Sequence, residues 1–282
     1  MKSHMMKVKI FFLLTLLLTS CSDSSNPTPN QIRKNNLTGS NLSQLDPNIN
    51  INPEKAVKKP TPIYPWESDL VGNHPKITKE YFRCKGSSLN PEHTEQTKDG
   101  FARYFDCGGA DRHGLPLKNE QEFIYPILVD LLNYLQVETG KQVVITSGHR
   151  CPTHNTYVDP SKENIYSKHM IGAEVSFYLR GIEDQPEEIV RLLQEYYVKM
   201  PKYENRSEFV NFQRYEKSDT NVSIKPWYNK EIYIKLFQEE EGRNFDNRHP
   251  YPYIGVQVRW DSELKDRVSY TWQKAHYSFL RK

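Results

Sequence analysis

The chain has 282 residues, of which 37% are hydrophobic and 12% aromatic, so it can bury one sizeable core. The formal net charge is only +3, and basic and acidic residues are interspersed along the part that we expect to fold. Proteins that bind nucleic acids usually carry clustered Lys and Arg, and no such cluster is visible. We therefore expect no nucleic-acid partner, although charge alone does not identify the partner that the protein has.

The N-terminus has the pattern of a bacterial lipoprotein signal. Three lysines precede an apolar run from Ile10 to Leu18, which is too short to span a bilayer. The run ends in the tetrapeptide LTSC, which resembles the lipobox, in which the cysteine is acylated. We predict a signal peptide over residues 1–20 and lipidation at Cys21, with an ordinary secretory signal and a chance cysteine as the alternative. Two or more acyl chains hold a protein stably on a membrane.

The expected location is the bacterial cell envelope, with the protein anchored to a lipid membrane. Serine, not an acidic residue, follows Cys21, which favours retention in the outer membrane facing the periplasm in a Gram-negative cell. Residues 21–62 are rich in Ser, Asn, Pro, Thr and Gln and cannot bury enough surface to fold. This segment reads as a disordered tether of about 40 residues, with an end-to-end distance of roughly 35 Å. Residues 63–282 form the predicted domain.

The predicted elements of this domain mix helices and strands. Residues 119–140 show a helical stripe of apolar residues, with Asn119 and Glu122 spaced as in a capping box. Pro126 either kinks this helix or starts its main part. The later elements are a strand over 142–148, a strand over 173–179, a helix over 185–200 and strands over 231–237 and 253–260. The elements do not alternate as in repeated βαβ units, and their order predicts an α+β fold with a mainly antiparallel sheet.

Three cysteines remain in the predicted domain: Cys84, Cys107 and Cys151. A Cys84–Cys107 disulfide is one possibility in an oxidising envelope, but connectivity does not follow from sequence. No C-x-x-C spacing indicates a zinc site made of cysteines. We therefore expect the three cysteines to be structural.

Two polar loop regions contain the candidate site residues. The first is SGHRCPTHN followed by SKHMIGAEVSFYL, and the second is NFDNRH. Together they resemble the zinc D-Ala-D-Ala carboxypeptidases, peptidase family M15. Members of that family have a Ser-Gly-Tyr-Arg turn, then Ser-x-His-x-x-Gly-x-Ala-x-Asp, then a distant Asp/Glu-x-x-His. The resemblance covers residues 142–179 and 244–249, and it implies the D-Ala-D-Ala metallopeptidase fold with helices flanking the sheet.

The resemblance implies a zinc centre in which His169 and His249 are ligands. Asp246 matches the general base, and Arg150 matches the arginine that holds the substrate carboxylate or the developing oxyanion. Two imidazoles and one carboxylate would leave a fourth zinc position for water, whose pKa the metal lowers towards about 7. In the same loop, Ser147, His154 and Asn155 are candidate substrate contacts.

Three positions depart from the family pattern. Ser176 stands where the family has its aspartate ligand, and a hydroxyl is a weak zinc ligand because it stays protonated near neutral pH. Asn244 occupies a place where some relatives have a histidine. Glu174 stands where the motif has Ala, since Ala173 falls one place early. Residues 174 and 176 of a strand point the same way about 6–7 Å apart, so Glu174 is a possible substitute ligand.

The sequence leaves three functions open. The first is a zinc metallopeptidase that hydrolyses peptidoglycan stem peptides. The second is a degenerate relative that binds these peptides without hydrolysis, and the third is a lipid-anchored scaffold for protein contacts. The sequence also leaves open whether His249 or Tyr253 aligns with the last ligand of the family.

Overall fold

The computed structural model describes residues 69–98, 100–110, 112–161 and 165–278. All of these lie within the unit Ile63–Lys282. The predicted signal peptide, the lipidation site Cys21 and the tether lie outside the described residues. Within the described ranges, none of the helices combines the length and the apolar composition needed to cross a bilayer.

The main sheet has six strands, and every neighbouring pair is antiparallel. Fourteen strands are numbered along the described chain. Those of the main sheet, in spatial order, are β7 (Val143–Ser147), β8 (Glu174–Leu179), β12 (Tyr253–Val258), β11 (Ile232–Phe237), β10 (Trp227–Tyr228) and β9 (Gln213–Arg214). The α+β class with an antiparallel sheet is confirmed.

The remaining strands form four short hairpins. In chain order they pair β1 (Leu70–Val71) with β2 (His74–Pro75), β3 (His93–Thr97) with β4 (Gly100–Tyr104), β5 (Leu117–Lys118) with β6 (Gln121–Glu122), and β13 (Trp260–Asp261) with β14 (Asp266–Arg267). None of these hairpins joins the main sheet within the described part of the chain.

Five α-helices accompany the sheets in the described residues. They are α1 (Pro126–Thr139), α2 (Pro152–Val158), α3 (Pro186–Lys199), α4 (Ser207–Val210) and α5 (Trp272–Tyr277). Short 3₁₀ turns occur at Lys79–Phe82, Lys168–Ile171 and Pro201–Tyr203.

The first helix is shorter than the 119–140 pattern predicted. Pro126 is its first residue, where a missing N–H costs no hydrogen bond, and Gly140 ends it in the left-handed conformation. The capping-box prediction was wrong, because Asn119 has a positive φ of 53° in the turn between β5 and β6, and Glu122 lies in β6. The other predicted elements agree with the observed ones to within two residues.

Alternation along β8 separates the core from the site. Val175, Phe177 and Leu179 are buried in the main hydrophobic core, which also contains the apolar faces of α1 and α3. Glu174 and Ser176 point to the opposite face because successive strand side chains alternate. The fold thus places one sheet face in the core and leaves the other for polar residues.

Packing of α3 on the core predicts that truncating two of its residues will have different effects on stability. Leu193 is 0% exposed, whereas Val198 on the same helix is 68% exposed. We expect Leu193→Ala to lower the free energy of unfolding by about 2–5 kcal/mol, because it leaves a cavity. Val198→Ala should change it by less than about 0.5 kcal/mol. Urea unfolding followed by circular dichroism measures both, and equal effects would contradict the assigned burial.

Candidate functional site

The turn after β7 is held tightly against the segment that contains Phe82. The His149 N–H donates to the Phe82 carbonyl oxygen at 2.6 Å. A Cβ added at Gly148 would lie 2.6 Å from the Phe82 carbonyl oxygen and 2.7 Å from its Cα, so only glycine fits. This close approach fixes the path of the chain from the end of β7 to Arg150.

Arg150 is anchored through one side of its guanidinium group. Its side chain is nearly buried, and Nε donates to Ser147 Oγ and to Asp246 Oδ2, both at 2.9 Å. Ser147 Oγ donates to the same Asp246 oxygen at 2.6 Å. The two terminal nitrogens of Arg150 have no hydrogen bond to any described residue.

The other oxygen of Asp246 connects to a second buried carboxylate through a histidine. His154 Nε2 lies 2.9 Å from Asp246 Oδ1, and His154 Nδ1 lies 2.7 Å from Asp106 Oδ1. Asp106 also accepts from the Ser87 N–H at 2.9 Å and from Asn90 Nδ2 at 2.6 Å. We call the chain Asp106–His154–Asp246–Arg150 the carboxylate relay.

Charge in the carboxylate relay is balanced. Burial by itself would raise the pKa of Asp246, but the Arg150 charge and the hydrogen bonds of His154 and Ser147 hold that pKa well below its usual range. Burial lowers the pKa of His154, but its bonds to Asp106 and Asp246 outweigh this and raise it to about 9. Two carboxylates and two cations therefore lie together at neutral pH. A carboxylate committed to three donors in this way is a poor general base.

His169 and Glu174 face each other near this relay. His169 Nδ1 lies 2.7 Å from the Gly148 carbonyl oxygen, to which it donates, and its Nε2 lies 3.7 Å from Glu174 Oε1. Gln257 Nε2 donates to the same Glu174 oxygen at 2.9 Å. Burial lowers the pKa of His169 to about 4, a shift that Glu174 opposes and Arg150 reinforces. The imidazole is neutral at neutral pH, with Nε2 able to accept.

Glu174 is ionised at neutral pH. Its burial would raise its pKa, but His169, Lys235 and the hydrogen bond from Gln257 outweigh that effect and lower it. Ser176, the next residue on this face of β8, is buried and pairs with Gly255 of β12.

These residues line a polar cleft of about 950 Å³. Of the predicted site residues, Arg150, Asn155, His169, Glu174 and Ser176 line it. His154 and Asp246 belong to the carboxylate relay and Ser147 donates to Asp246, and these three residues are not among those that line the cleft. Asn244 also lines the cleft, and its side-chain oxygen accepts from the Asp246 and Asn247 N–H groups at 3.1 Å.

His249 is not brought into this group. Its ring packs against Tyr178 with centroids 4.9 Å apart and against the edge of Tyr253 at 5.6 Å. Tyr253 lines the cleft and donates its hydroxyl to the Gly242 carbonyl oxygen at 2.7 Å, whereas His249 is not among the lining residues. Between the two residues that the sequence left open, the structure thus places Tyr253 at the cleft.

The family's zinc centre does not fit the residues present. His169 and Glu174 are close enough to share a metal, but no third His, Cys, Asp or Glu joins them among the described residues. Ser176 supplies only a hydroxyl, and His249 packs among tyrosines. We therefore assign no zinc-dependent step to this cleft.

Groups that could hold a metal ion occur elsewhere in the described residues. Cys84, Cys107, Cys151 and His113 form one, and Asp106, Cys107 and His154 form the other. The three cysteines are free thiols, and the Cys84 and Cys107 sulfur atoms are 3.7 Å apart, so the structure has no Cys84–Cys107 disulfide.

Sequence reasoning missed Asp106 and His113. Asp106 was visible only as the residue before Cys107, and His113 has no motif of its own. The signal that could have found them is that Asp106 and His113 lie on either side of Cys107 in a Gly-rich stretch, DCGGADRHG.

Comparisons with protein-family models, curated proteins and solved structures give no match to this chain. The resemblance to peptidase family M15 therefore stays a prediction from the motifs.

The charged state of His154 predicts how stability depends on pH. Its pKa of about 9 in the folded chain lies above the usual value of about 6.5, so its contribution is complete below pH 6.5 and is lost as pH rises through about 9. We expect the free energy of unfolding to decrease by up to roughly 3 kcal/mol over this range. Urea unfolding at several pH values should show this for the wild type and a flatter profile for His154→Gln. Identical slopes would assign the dependence to other groups.

Proposed function

We propose that this protein is a lipid-anchored lipoprotein of the bacterial envelope that binds the carboxyl-terminal ends of peptidoglycan stem peptides in the polar cleft. The main support for this proposal is the geometry of Arg150. Its Nε is fixed by Asp246 and Ser147, while its terminal nitrogens have no partner among the described residues. A guanidinium fixed in this way is suited to bidentate binding of a carboxylate.

The opposite charge in the cleft fits the same class of ligand. Glu174 is an ionised carboxylate that lines the cleft together with Gln257 and Lys235. A stem peptide offers carboxylates for cationic groups, an amino group for Glu174, and amide groups for polar side chains such as Asn155. The cleft volume of about 950 Å³ is in the range of ligand sites for small molecules and short peptides.

Binding without hydrolysis is the version of the motif-based hypothesis that the geometry favours. The arginine of the family pattern keeps a position on the cleft, whereas the zinc ligands do not form a set of three. Asp246, at the place of the family's general base, is occupied by Ser147, Arg150 and His154. The proposal therefore keeps peptidoglycan stem peptides as the ligand class that the resemblance implies, but it does not include their hydrolysis.

Titration of the purified chain with a peptide ending in D-Ala-D-Ala tests the role of Arg150. Hydrogen bonds to charged groups contribute about 1.5–3 kcal/mol, so Arg150→Gln should weaken binding by roughly tenfold or more. Arg180→Gln is the matched control, because Arg180 is exposed and does not line the cleft. The same peptide with a C-terminal amide should bind as weakly to the wild type as the acid binds to Arg150→Gln. Equal binding of acid and amide would exclude carboxylate recognition.

The same samples test hydrolysis. We expect no release of D-Ala from the peptide by the wild-type chain, with or without added Zn²⁺. Release of D-Ala that disappears in His169→Ala would overturn the binding-only proposal and restore the zinc peptidase hypothesis. If Glu174→Gln also abolished it, Glu174 would be the substitute ligand.

The envelope location rests on the LTSC motif and has a separate test. Cys21→Ala should remove labelling by a fatty-acid probe and release the protein from membranes, because the acyl chains are its only proposed anchor. Fractionation of cells that express either form measures this. A wild-type protein that is unlabelled and found in the soluble fraction would show that the N-terminus is an ordinary secretory signal.

A further inference from the structure

Four side chains from three segments of the chain meet outside the cleft. The sulfur atoms of Cys84, Cys107 and Cys151 and a ring nitrogen of His113 all lie within 4.8 Å of one another. Cys84 follows the 3₁₀ turn Lys79–Phe82, Cys107 follows β4, His113 precedes β5, and Cys151 caps the start of α2. The cysteines are buried, and the group lies outside the polar cleft.

The distances within this group match a tetrahedral metal. Cys84 Sγ and Cys107 Sγ are 3.7 Å apart, and His113 Nε2 is 3.4 Å from Cys107 Sγ. A tetrahedral zinc with Zn–S of about 2.3 Å and Zn–N of about 2.0–2.1 Å needs sulfur atoms about 3.8 Å apart and S···N distances of about 3.5 Å. A disulfide would need about 2.05 Å.

The sulfur atoms accept hydrogen bonds from backbone N–H groups, which is more typical of thiolates than of thiols packed in a core. The Gly109 N–H donates to Cys107 Sγ at 3.3 Å, and the His154 N–H donates to Cys151 Sγ at 3.4 Å. His113 directs Nδ1 to within 3.5 Å of the Gly114 carbonyl oxygen, which leaves Nε2 towards the sulfurs. Outer contacts of this kind orient metal ligands in proteins.

Gly86 allows the loop after Cys84 to approach this group. A Cβ at this position would collide with Cys107 Sγ and would lie 2.9 Å from Asp106 Oδ1 and 3.1 Å from His154 Nδ1. Any other residue would push the Cys84 loop away from Cys107. The backbone therefore has the shape that convergence of the four side chains requires.

We propose that Cys84, Cys107, His113 and Cys151 bind one Zn²⁺ ion in a closed, structural site. Three thiolates and one imidazole in a tetrahedral arrangement select zinc over the harder metals. Because the protein fills all four positions, no water is bound, and the site stabilises the fold instead of performing catalysis. Zinc replaces the protons of the three thiols, which are released to solvent. This inference does not depend on the proposed function.

The ion would stabilise both ends of the carboxylate relay. Cys107 is bonded to Asp106, and Cys151 is bonded to Arg150 in the chain. One metal therefore joins the segments that position the first and last residues of the relay. Removal of zinc would loosen Arg150 as well as lower the stability of the domain.

Metal analysis of the full-length chain tests this inference. We expect about one zinc per chain by elemental mass spectrometry, from the four-ligand geometry. Cys151→Ser and His113→Ala should each lower zinc affinity at least about tenfold in competition with a chromophoric chelator. Cys21→Ser is the matched control, since it removes the cysteine outside the domain and should leave the zinc content unchanged.

Two measurements keep the test decisive if the serine and alanine variants fail to fold. Co²⁺ exchanged into the wild-type chain should give the intense visible bands of a tetrahedral site and a sulfur-to-cobalt charge-transfer band. His113→Cys should retain the metal, because four thiolates also suit zinc, and it should shift the Co²⁺ bands.

Several results would overturn the zinc assignment. They are a wild-type chain without stoichiometric zinc, a Cys84–Cys107 disulfide found by peptide mapping without reductant, or full zinc content in a folded Cys151→Ser variant. Zinc that is lost in His169→Ala and kept in Cys151→Ser would place the metal in the cleft and also contradict this site. Intact zinc together with absent peptide binding would overturn the proposed function alone.

Discussion

The buried carboxylate of Asp246 is the interaction on which the site depends. It accepts hydrogen bonds from Ser147 and Arg150 on one oxygen and from His154 on the other. A buried charge is costly unless it is paired and hydrogen-bonded, and here both conditions are met. Because its three donors come from the end of β7, from the turn after it and from α2, Asp246 ties the loop that contains it to all three. Loss of this carboxylate would leave Arg150 with only the Ser147 hydroxyl and the charged His154 with only Asp106.

The relay also holds Arg150 in place at the cleft. One side of its guanidinium group is used to fix its position, and its terminal nitrogens have no partner among the described residues. His169 is oriented in a similar way, with Nδ1 bonded to Gly148 and Nε2 towards Glu174. Groups that are held before a ligand arrives lose less conformational entropy on binding, so the arrangement favours recognition of a small, charged end group.

Local patterns predicted the regular elements well, whereas long-range convergence could not be predicted. The stretches 173–179 and 253–260 predicted β8 and β12, which bury Val175, Phe177, Ile254 and Val256 in the core. The choice between a kink and a start at Pro126 depends on tertiary packing, so the pattern left it open. The motif placed Arg150 and His169 near one cleft. The orientation of His249 depends on packing against Tyr178, which no local pattern encodes.

The cysteines show the same limit more clearly. C-x-x-C spacing is a signal only when one turn supplies two ligands. Here the ligands come from three segments, and the nearest pair in sequence, Cys107 and His113 in the connection between β4 and β5, is six residues apart. Their meeting depends on how the hairpin β3–β4 and the turn after β7 pack, which is a property of the folded chain.

The pairing of Ser176 with Gly255 has a topographic consequence for the cleft. Ser176 lines the cleft with only a hydroxymethyl group, whereas a Cβ at Gly255 would meet the Phe237 ring at 3.1 Å. Because Gly255 has no side chain, the Phe237 ring can lie over it, and Phe237 also lines the cleft. A larger residue at position 176 would make the cleft shallower without altering a single charge, so the depth of the cleft is set independently of the charges that line it.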